Sequence, residues 1–330
     1  MKLTNNKYIM KMFGKIRLSC RCLCITSAII ISSLFAVNAN AQSKVYFIKD
    51  ISSESLMKIY KALGKKAKGK NVAVKISTGE PGGHNFLDYK LIEPLVKEVK
   101  GTIVECNTAY GGRRSSTEEH MKAAEEHGFT KIAKVDIMDA DGDTALVVNG
   151  GKHLQGKNYV GSHYLNYDFT VVLSHFKGHT MAGFGGAIKN ISIGIGSRNG
   201  KMWIHSAGKS RRGFGRPQQN DFLESMAEAA KSVVDHNEGR MLYISVANNL
   251  SVDCDCDSHP HAPELADIGI LASLDPVALD QACVDMVYNS PDDGKVHLIE
   301  RMESRNGIHT LEAAEELGIG SRKYELITIE

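Results

Sequence analysis

Residues 168–190 read DFTVVLSHFKGHTMAGFGGAIKN, and the rest of the chain can be understood around this stretch. It opens with a short β-branched run, Phe169 to Leu173, which is apolar except for Thr170 and predicts a buried strand. The glycine-rich remainder has neither a helical nor an alternating period and predicts a loop. Because ligands of α/β folds bind beyond the carboxyl ends of strands, we expect the functional site here.

This loop concentrates side chains that exchange protons or hold anions. His179 and Lys189 are the predicted catalytic residues, because an imidazole and an amine can serve as acid, base or nucleophile. Glycines allow backbone N–H groups to approach a ligand closely. The predicted cofactor-binding residues are Gly183, Gly185, Gly186, Lys189 and Asn190.

The first third of the chain after residue 41 repeats one pattern three times. Apolar runs near residues 44–49, 71–76 and 102–106 predict strands, and each is followed by a loop and an amphipathic helical segment. The pattern predicts an α/β fold with a largely parallel sheet flanked by helices, in which strand-end loops form one crevice. We expect residues 42–330 to form a single domain, with two coupled lobes as the alternative.

Residues 1–41 have the composition of a secretory signal peptide. They contain six basic and no acidic residues, followed by an apolar run from about Cys22 to Val37 and by Ala39-Asn40-Ala41. Small residues at the first and third of these positions are typical of a signal-peptidase site. We therefore expect an exported protein, periplasmic or secreted, that has no membrane segment after cleavage.

Removal of this segment changes the charge balance. The whole chain carries 40 basic and 38 acidic residues, so 34 basic residues would remain against 38 acidic ones. A slightly acidic protein offers no general attraction for nucleic acid or anionic membrane. The expected partner is a small-molecule ligand, and the sequence leaves the oligomeric state open.

Four cysteines follow residue 41: Cys106, Cys254, Cys256 and Cys283. A bridge between Cys254 and Cys256 is expected to be strained, because one residue separates them. This pair better suits a metal ion, an iron–sulfur cluster or reactive thiols. The predicted metal ligands are Cys254, Cys256, His175 and His205. An ordinary loop with two cysteines is the alternative.

Several long motifs resemble the family known as domain of unknown function 362, often labelled iron–sulfur centre protein. They are SHFKGH (174–179), GFGGAIKN (183–190), DCDC (253–256) and DIGILASLDPVALD (267–280). The ferredoxin segment of cluster-containing members is absent, because residues 206–221 contain no cysteine. Any cluster would therefore have to use Cys254 and Cys256.

The order His179, Gly185-Gly186, Lys189 and His205 also resembles the core of lactate-racemase-type enzymes. The resemblance implies that Lys189 anchors a nickel pincer nucleotide covalently. It further implies that His179 exchanges a proton and that His205 binds the metal.

Three functions remain open from the sequence. The first is a metal- or cofactor-dependent enzyme, redox-type or racemase-like, that acts on a small molecule. The second is a non-catalytic metal or iron–sulfur carrier centred on Cys254 and Cys256. The third is a protein that binds a small molecule through its glycine loops alone.

Overall fold

The computed structural model describes residues 42–330, and the predicted signal peptide lies outside them. The sheet strands follow the apolar runs of the sequence. In chain order they are β1 (Ser43–Ile48), β2 (Val72–Lys75), β3 (Gly101–Glu105), β4 (Val135–Ile137), β7 (Phe169–His175), β10 (Met241–Ala247), β11 (Gly269–Ser273) and β12 (Tyr324–Thr328). Two small hairpins add β5 (Asp143–Val147) with β6 (Lys157–Gly161), and β8 (Lys177–His179) with β9 (Gly183–Gly185).

The eight-stranded sheet has the order β12-β1-β11-β10-β7-β2-β3-β4. Only β11 runs against its neighbours β1 and β10; the other pairings are parallel. The prediction of an α/β fold with a largely parallel sheet is confirmed. The carboxyl ends of β2, β3, β7 and β10 consequently meet along one edge.

Helices cover both faces of the sheet. They are α1 (Ser53–Ala62), α2 (Tyr89–Glu98), α3 (Thr117–Glu126), α4 (Ala187–Ser192), α5 (Arg198–His205), α6 (Gln219–Asn237), α7 (Pro276–Tyr288), α8 (Val296–Ser304) and α9 (His309–Glu316). None of the helices within residues 42–330 is long and apolar enough to cross a bilayer.

The two cores follow from the alternation of side chains along the strands. Val171 and Leu173 of β7 pack in one apolar cluster with residues of α1 and α2, whereas Val172 packs in the other with residues of α4, α6 and α7. Successive strand residues point to opposite faces, so a continuous apolar run buries both. Because both faces of the sheet are covered, the polar loops lie at the ends of the strands.

The stretch after β7 is more regular than its sequence predicts. It was expected to be an irregular loop, but Lys177–His179 and Gly183–Gly185 pair as a hairpin, and Ala187–Ser192 is helical. Gly178 must lack a side chain, because a Cβ there would lie 2.2 Å from the Val252 carbonyl oxygen. The hairpin is thus set by a neighbour far away in sequence.

Candidate functional site

One cavity of about 320 Å³ opens at the carboxyl ends of β2, β3 and β7. The predicted site residues that line it are His175, His179, Gly185, Gly186, Lys189, Asn190, His205, Cys254 and Cys256. Gly183 is the one predicted residue outside this lining; it packs against Met302 and Gly307. Residues from widely separated loops therefore converge on a space of the size that small ligands occupy.

Helix α4, which carries Lys189, is fixed at its start by a carboxylate from α7. Asp280 accepts hydrogen bonds from the N–H groups of Ala187 and Ile188, at 2.7 and 2.9 Å. Burial raises the pKa of Asp280 to about 7, although these two N–H groups act to lower it. Gly186 makes room for this contact, because a Cβ there would lie 2.3 Å from Asp280 Oδ1.

Asn190 joins the same helix to the sheet. Its side-chain amide donates to the carbonyl oxygen of Lys75 at 3.2 Å and to Ser174 Oγ at 3.1 Å. Its oxygen accepts from Lys75 Nζ at 3.0 Å. Asn190 therefore fixes the position of the neighbouring Lys189 relative to β2 and β7. This positioning role does not depend on which ligand is bound.

Lys189 is the least restrained cation of the lining. Within the described residues its Nζ has no hydrogen-bond partner, and its side chain is partly buried in the cavity. Burial, together with the nearby Lys177 ammonium, lowers the pKa of Lys189 to about 7. Near neutral pH a large share of such amines is uncharged and therefore nucleophilic. Gly185 leaves space beside it, since a Cβ would lie 3.4 Å from Lys189 Cδ.

The same cavity is also lined by an ion-paired cluster of Lys75, Glu105 and Arg114. Lys75 Nζ donates to Glu105 Oε2 at 2.8 Å, and Arg114 Nη1 lies 3.5 Å from Glu105 Oε1. Burial acts to raise the pKa of Glu105, but the Lys75 and Arg114 charges outweigh it and hold the value at about 2. The cluster lies at the ends of β2 and β3, and its charged groups are paired with one another or with neighbouring residues.

His205 offers a free ring nitrogen. Its Nδ1–H donates to the Lys201 carbonyl oxygen at 2.6 Å, which places the lone pair on Nε2. The ring lies between Phe214 and Phe222, with centroids 4.7 and 4.9 Å away. Burial lowers the pKa of His205 to about 4. A neutral imidazole held by a backbone carbonyl in this way is the usual state of a metal ligand.

His179 has the opposite tautomer. Its Nδ1 accepts from the backbone N–H groups of Met181 and Ala182, at 3.2 and 3.0 Å, so the ring hydrogen lies on Nε2. Burial and the Lys189 charge hold the pKa of His179 well below its usual range. In this arrangement His179 presents a hydrogen-bond donor, whereas His205 presents an acceptor.

His175, predicted as a metal ligand, has neither nitrogen free. Nδ1 lies 2.7 Å from Asp255 Oδ1, and Nε2 lies 2.6 Å from the Asn248 carbonyl oxygen. Asp255 also accepts from Lys177 Nζ at 2.7 Å. Burial acts to raise the pKa of Asp255, but these two cations hold it well below its usual range. His175 and Lys177 therefore fix the 253–257 loop over the cavity.

The sulfur atoms of Cys254 and Cys256 are joined in a disulfide. The sequence favoured a metal ion, a cluster or reactive thiols at this pair, and the structure has a bridge in their place. A ring nitrogen of His179 and the two sulfur atoms lie within 4.8 Å of one another, so the predicted proximity of the cysteines to His179 is confirmed. Once reduced, these three donors would form a group able to hold a metal ion.

An iron–sulfur cluster does not fit the donors present. Such clusters usually take four cysteine thiolates. Cys106 lines the cavity, but its thiol donates to the Ile195 carbonyl oxygen at 3.3 Å, and burial raises its pKa above the usual range. Cys283 is buried in α7 and does not line the cavity. Within residues 42–330, the two bridged sulfurs and the imidazoles of His179 and His205 remain at the cavity.

Sequence reasoning overlooked the residues that arrange the site. They are Lys75, Glu105, Asp255 and Asp280, all buried. Lys75 had a visible signal, since it is a lone charge inside the apolar run of residues 72–76. Asp280 had none, because its partner helix lies about 90 residues earlier in the chain.

Two solved structures are among those that match this chain at low sequence identity. The lactate racemase apoprotein from Thermoanaerobacterium thermosaccharolyticum is 17% identical, with a TM-score of 0.46, over 74% of this chain and 57% of that chain. A protein from Thermotoga maritima is 11% identical, with a TM-score of 0.40, over 80% of this chain and 58% of that chain. This chain therefore spans less than two thirds of the length of either structure.

Sequence comparison places the chain more firmly. No curated protein matches it. Residues 72–285, well over half of the chain and all the strands that border the cavity, match the family described as Domain of unknown function (DUF362). The protein belongs to that family, as its motifs predicted.

Proposed function

We propose that the protein is an enzyme, racemase-like or redox-type, that acts on a small organic anion with Lys189 as its reactive amine. The observation that carries this proposal is the Lys189 side chain. Its Nζ has no hydrogen-bond partner among the described residues, and it faces a cavity rich in positive charge. An amine that is partly buried and held without a counter-ion reduces stability, so a functional role would explain its presence.

The charge of the lining selects the ligand class. Five lysine and arginine side chains line the cavity, Lys75, Arg114, Lys177, Lys189 and Lys201, against two acids. Those acids are Glu105 and Asp255, and both are engaged by neighbouring cations. Lys201 donates only to carbonyl oxygens. The surplus positive charge favours a carboxylate or phosphate group over a neutral or cationic ligand.

The lining fits the cofactor that the resemblance to lactate-racemase-type enzymes implies. Lys189 would anchor a nickel pincer nucleotide through its free amine, and His205 would bind the metal through Nε2. When bound, this cofactor would supply the metal centre of the reaction. His179 would donate a hydrogen bond, and finally a proton, from Nε2 to the substrate anion. Lysines of the lining that have no carboxylate partner, such as Lys201, would hold the substrate carboxylate and the nucleotide phosphate.

The test combines mass and exchange measurements on the purified protein. We expect intact mass and peptide mapping to find an adduct on Lys189, and elemental analysis to find a metal. Small carboxylates with a hydrogen on the carbon next to the carboxylate should exchange that hydrogen for deuterium in D₂O, followed by NMR. Lys189→Arg should abolish the exchange, whereas Lys61→Arg on the exposed side of α1 should not change it.

Two results would overturn this proposal. One is that Lys189 carries no adduct and is no more reactive toward amine reagents at pH 7 than surface lysines. The other is that no carboxylate or phosphate raises the melting temperature of the wild type above that of Lys189→Met.

We also propose that the protein is exported. N-terminal sequencing of the mature chain tests this, with cleavage expected after residue 41.

A metal carrier is the second candidate, favoured by the proximity of His179, Cys254 and Cys256. It requires the reduced form, because cysteine binds zinc or copper as the thiolate, which a disulfide does not offer. Zinc titration of reduced and air-oxidised protein separates the two candidates. A carrier binds one equivalent only after reduction and shows no exchange of substrate hydrogens.

A further inference from the structure

The Cys254–Cys256 disulfide lies between two cavities. A second, outer cavity of about 590 Å³ adjoins the inner one. Tyr110, Thr180, Cys254 and Cys256 line both spaces. The bridge is therefore part of the wall that separates the outer cavity from the ligand site, and a molecule in the outer cavity can reach its sulfur atoms.

The two sulfur atoms differ in access. Cys254 is buried, with 4% of its surface exposed, whereas Cys256 is only partly buried. Cys254 Sγ also accepts a hydrogen bond from the backbone N–H of Cys256, at 3.2 Å. An attacking thiolate would therefore meet Cys256 first. The leaving sulfur would be Cys254, which already has a hydrogen-bond donor for its developing charge.

The loop that carries the bridge is held on both sides, so breaking the bond need not release it. Asp255, between the two cysteines, binds His175 and Lys177. Its carbonyl oxygen also accepts from the Glu80 N–H at 2.7 Å. These contacts do not involve the sulfur atoms, and they keep both thiols at the wall after reduction.

We propose that Cys254–Cys256 is a thiol–disulfide exchange site, reduced from the outer cavity by a dithiol. One dithiol thiolate attacks Cys256 Sγ; a mixed disulfide forms, and the Cys254–Cys256 bond breaks with its electron pair on Cys254 Sγ. The second dithiol sulfur, as thiolate, then attacks the mixed disulfide and expels Cys256 Sγ. The dithiol becomes a disulfide, and its two protons pass to the two cysteine sulfurs. This activity stands whether or not the proposed function holds.

The first experiment measures the equilibrium in the folded wild-type protein. The protein is incubated with mixtures of reduced and oxidised dithiothreitol, quenched in acid, alkylated and mapped by mass spectrometry. We expect Cys254 and Cys256 to convert together in one two-electron transition, while the buried Cys106 and Cys283 stay unlabelled as internal references. Circular dichroism at each point should remain that of the folded protein.

The second experiment locates the attacked sulfur. In Cys254→Ser and Cys256→Ser each variant keeps one thiol of the pair, and an aromatic disulfide reagent reports the rate of exchange of that thiol, while Cys106 and Cys283 are buried. The Cys256 thiol should react roughly tenfold faster than the Cys254 thiol, because Cys256 is the more exposed of the two residues that line the outer cavity. A matching urea series corrects for exchange through unfolding.

Three outcomes would overturn the proposal. The bridge could be absent in air-oxidised protein, it could be reduced only when the protein unfolds, or Cys254 could react as fast as Cys256. If one variant fails to fold, the wild-type equilibrium still decides the first two outcomes. Peptide mapping of the mixed disulfide that glutathione forms with the wild type decides the third.

Discussion

Two groups of side chains line the same cavity, and they differ in their partners. In the ion-paired cluster of Lys75, Glu105 and Arg114, both cations meet carboxylates: Lys75 pairs with Glu105, and Arg114 pairs with Glu105 and with Glu80 at 3.0 Å. The open pair, Lys189 and His205, presents an amine and a ring nitrogen without such partners. Charged and ionisable side chains at this cavity therefore have two roles. One fixes the strand ends, and the other remains available to a ligand.

The largest effect should follow from neutralising Glu105. Glu105→Gln keeps the shape but leaves Lys75 buried beside a neutral amide, whereas Arg114 keeps its salt bridge to Glu80. The free energy of unfolding should therefore fall by about 3–5 kcal/mol. Urea unfolding of both proteins measures the difference. Glu93→Gln is the matched control, because its exposed pair with Lys97 contributes roughly 1 kcal/mol or less.

The stability contributed by the ion-paired cluster should depend on pH. The folded pKa of Glu105 is held at about 2, below its usual value of 4.5, so the pair stabilises the protein fully above pH 4.5. This contribution is lost as pH falls from 4.5 toward 2, because the unfolded chain then binds the proton more readily. Glu105→Gln should show a shallower acid transition. Equal slopes, or an unfolding cost no larger than that of Glu93→Gln, would contradict a structural role for the cluster.

An intermediate loss of stability is expected from substitution of Asp280. This residue of α7 binds the start of α4, the helix that carries Lys189 of the open pair. Asp280→Asn removes one of two acceptors at the start of α4 and should lower the free energy of unfolding by about 1–3 kcal/mol. It should also raise the apparent pKa of Lys189 from about 7 toward its usual value, because a loosened α4 exposes the amine. The pH profile of amine labelling at Lys189 measures this change.

Asp275→Asn is the control for this prediction. Asp275 also accepts from two backbone N–H groups at the start of a helix, α7, but it does not touch α4. It should leave the labelling profile of Lys189 unchanged. If both variants move the profile equally, Asp280 acts through general stability and does not position Lys189.

The sequence predicted the sheet and the location of the site for a clear reason. The strands that border the cavity are unbroken apolar runs buried on both faces, and such runs are visible without a partner. The polar residues after β7 had to lie at the carboxyl edge of the sheet. His179, Lys189 and Cys254 could therefore be assigned to one cavity before any coordinates were known.

The local structure around those residues could not be predicted in the same way. Lys177–His179 pairs with Gly183–Gly185, and Gly178 also lies against Val252 and donates from its N–H to the Ser251 carbonyl oxygen at 2.8 Å. The six-residue helix α4 begins where Asp280 meets its N–H groups. Both contacts join distant parts of the chain, and single-sequence periodicity carries no trace of them. The Cys254–Cys256 bridge was missed because a rule about spacing was applied without knowledge of the loop that holds it.

The smallest cost should come from the open pair itself. Lys189→Met removes a charge that has no counter-ion, so the free energy of unfolding at pH 7 should be equal to or greater than that of the wild type. The folded pKa of Lys189 is about 7 and the unfolded one about 10.5, so the unfolded chain binds more protons between these values. Wild-type stability should therefore rise relative to Lys189→Met as the pH increases from 7 to 10. Urea unfolding at both pH values measures it. A substantial loss of stability at pH 7 would mean that Lys189 has a buried partner, and the distinction between the ion-paired cluster and the open pair would fail.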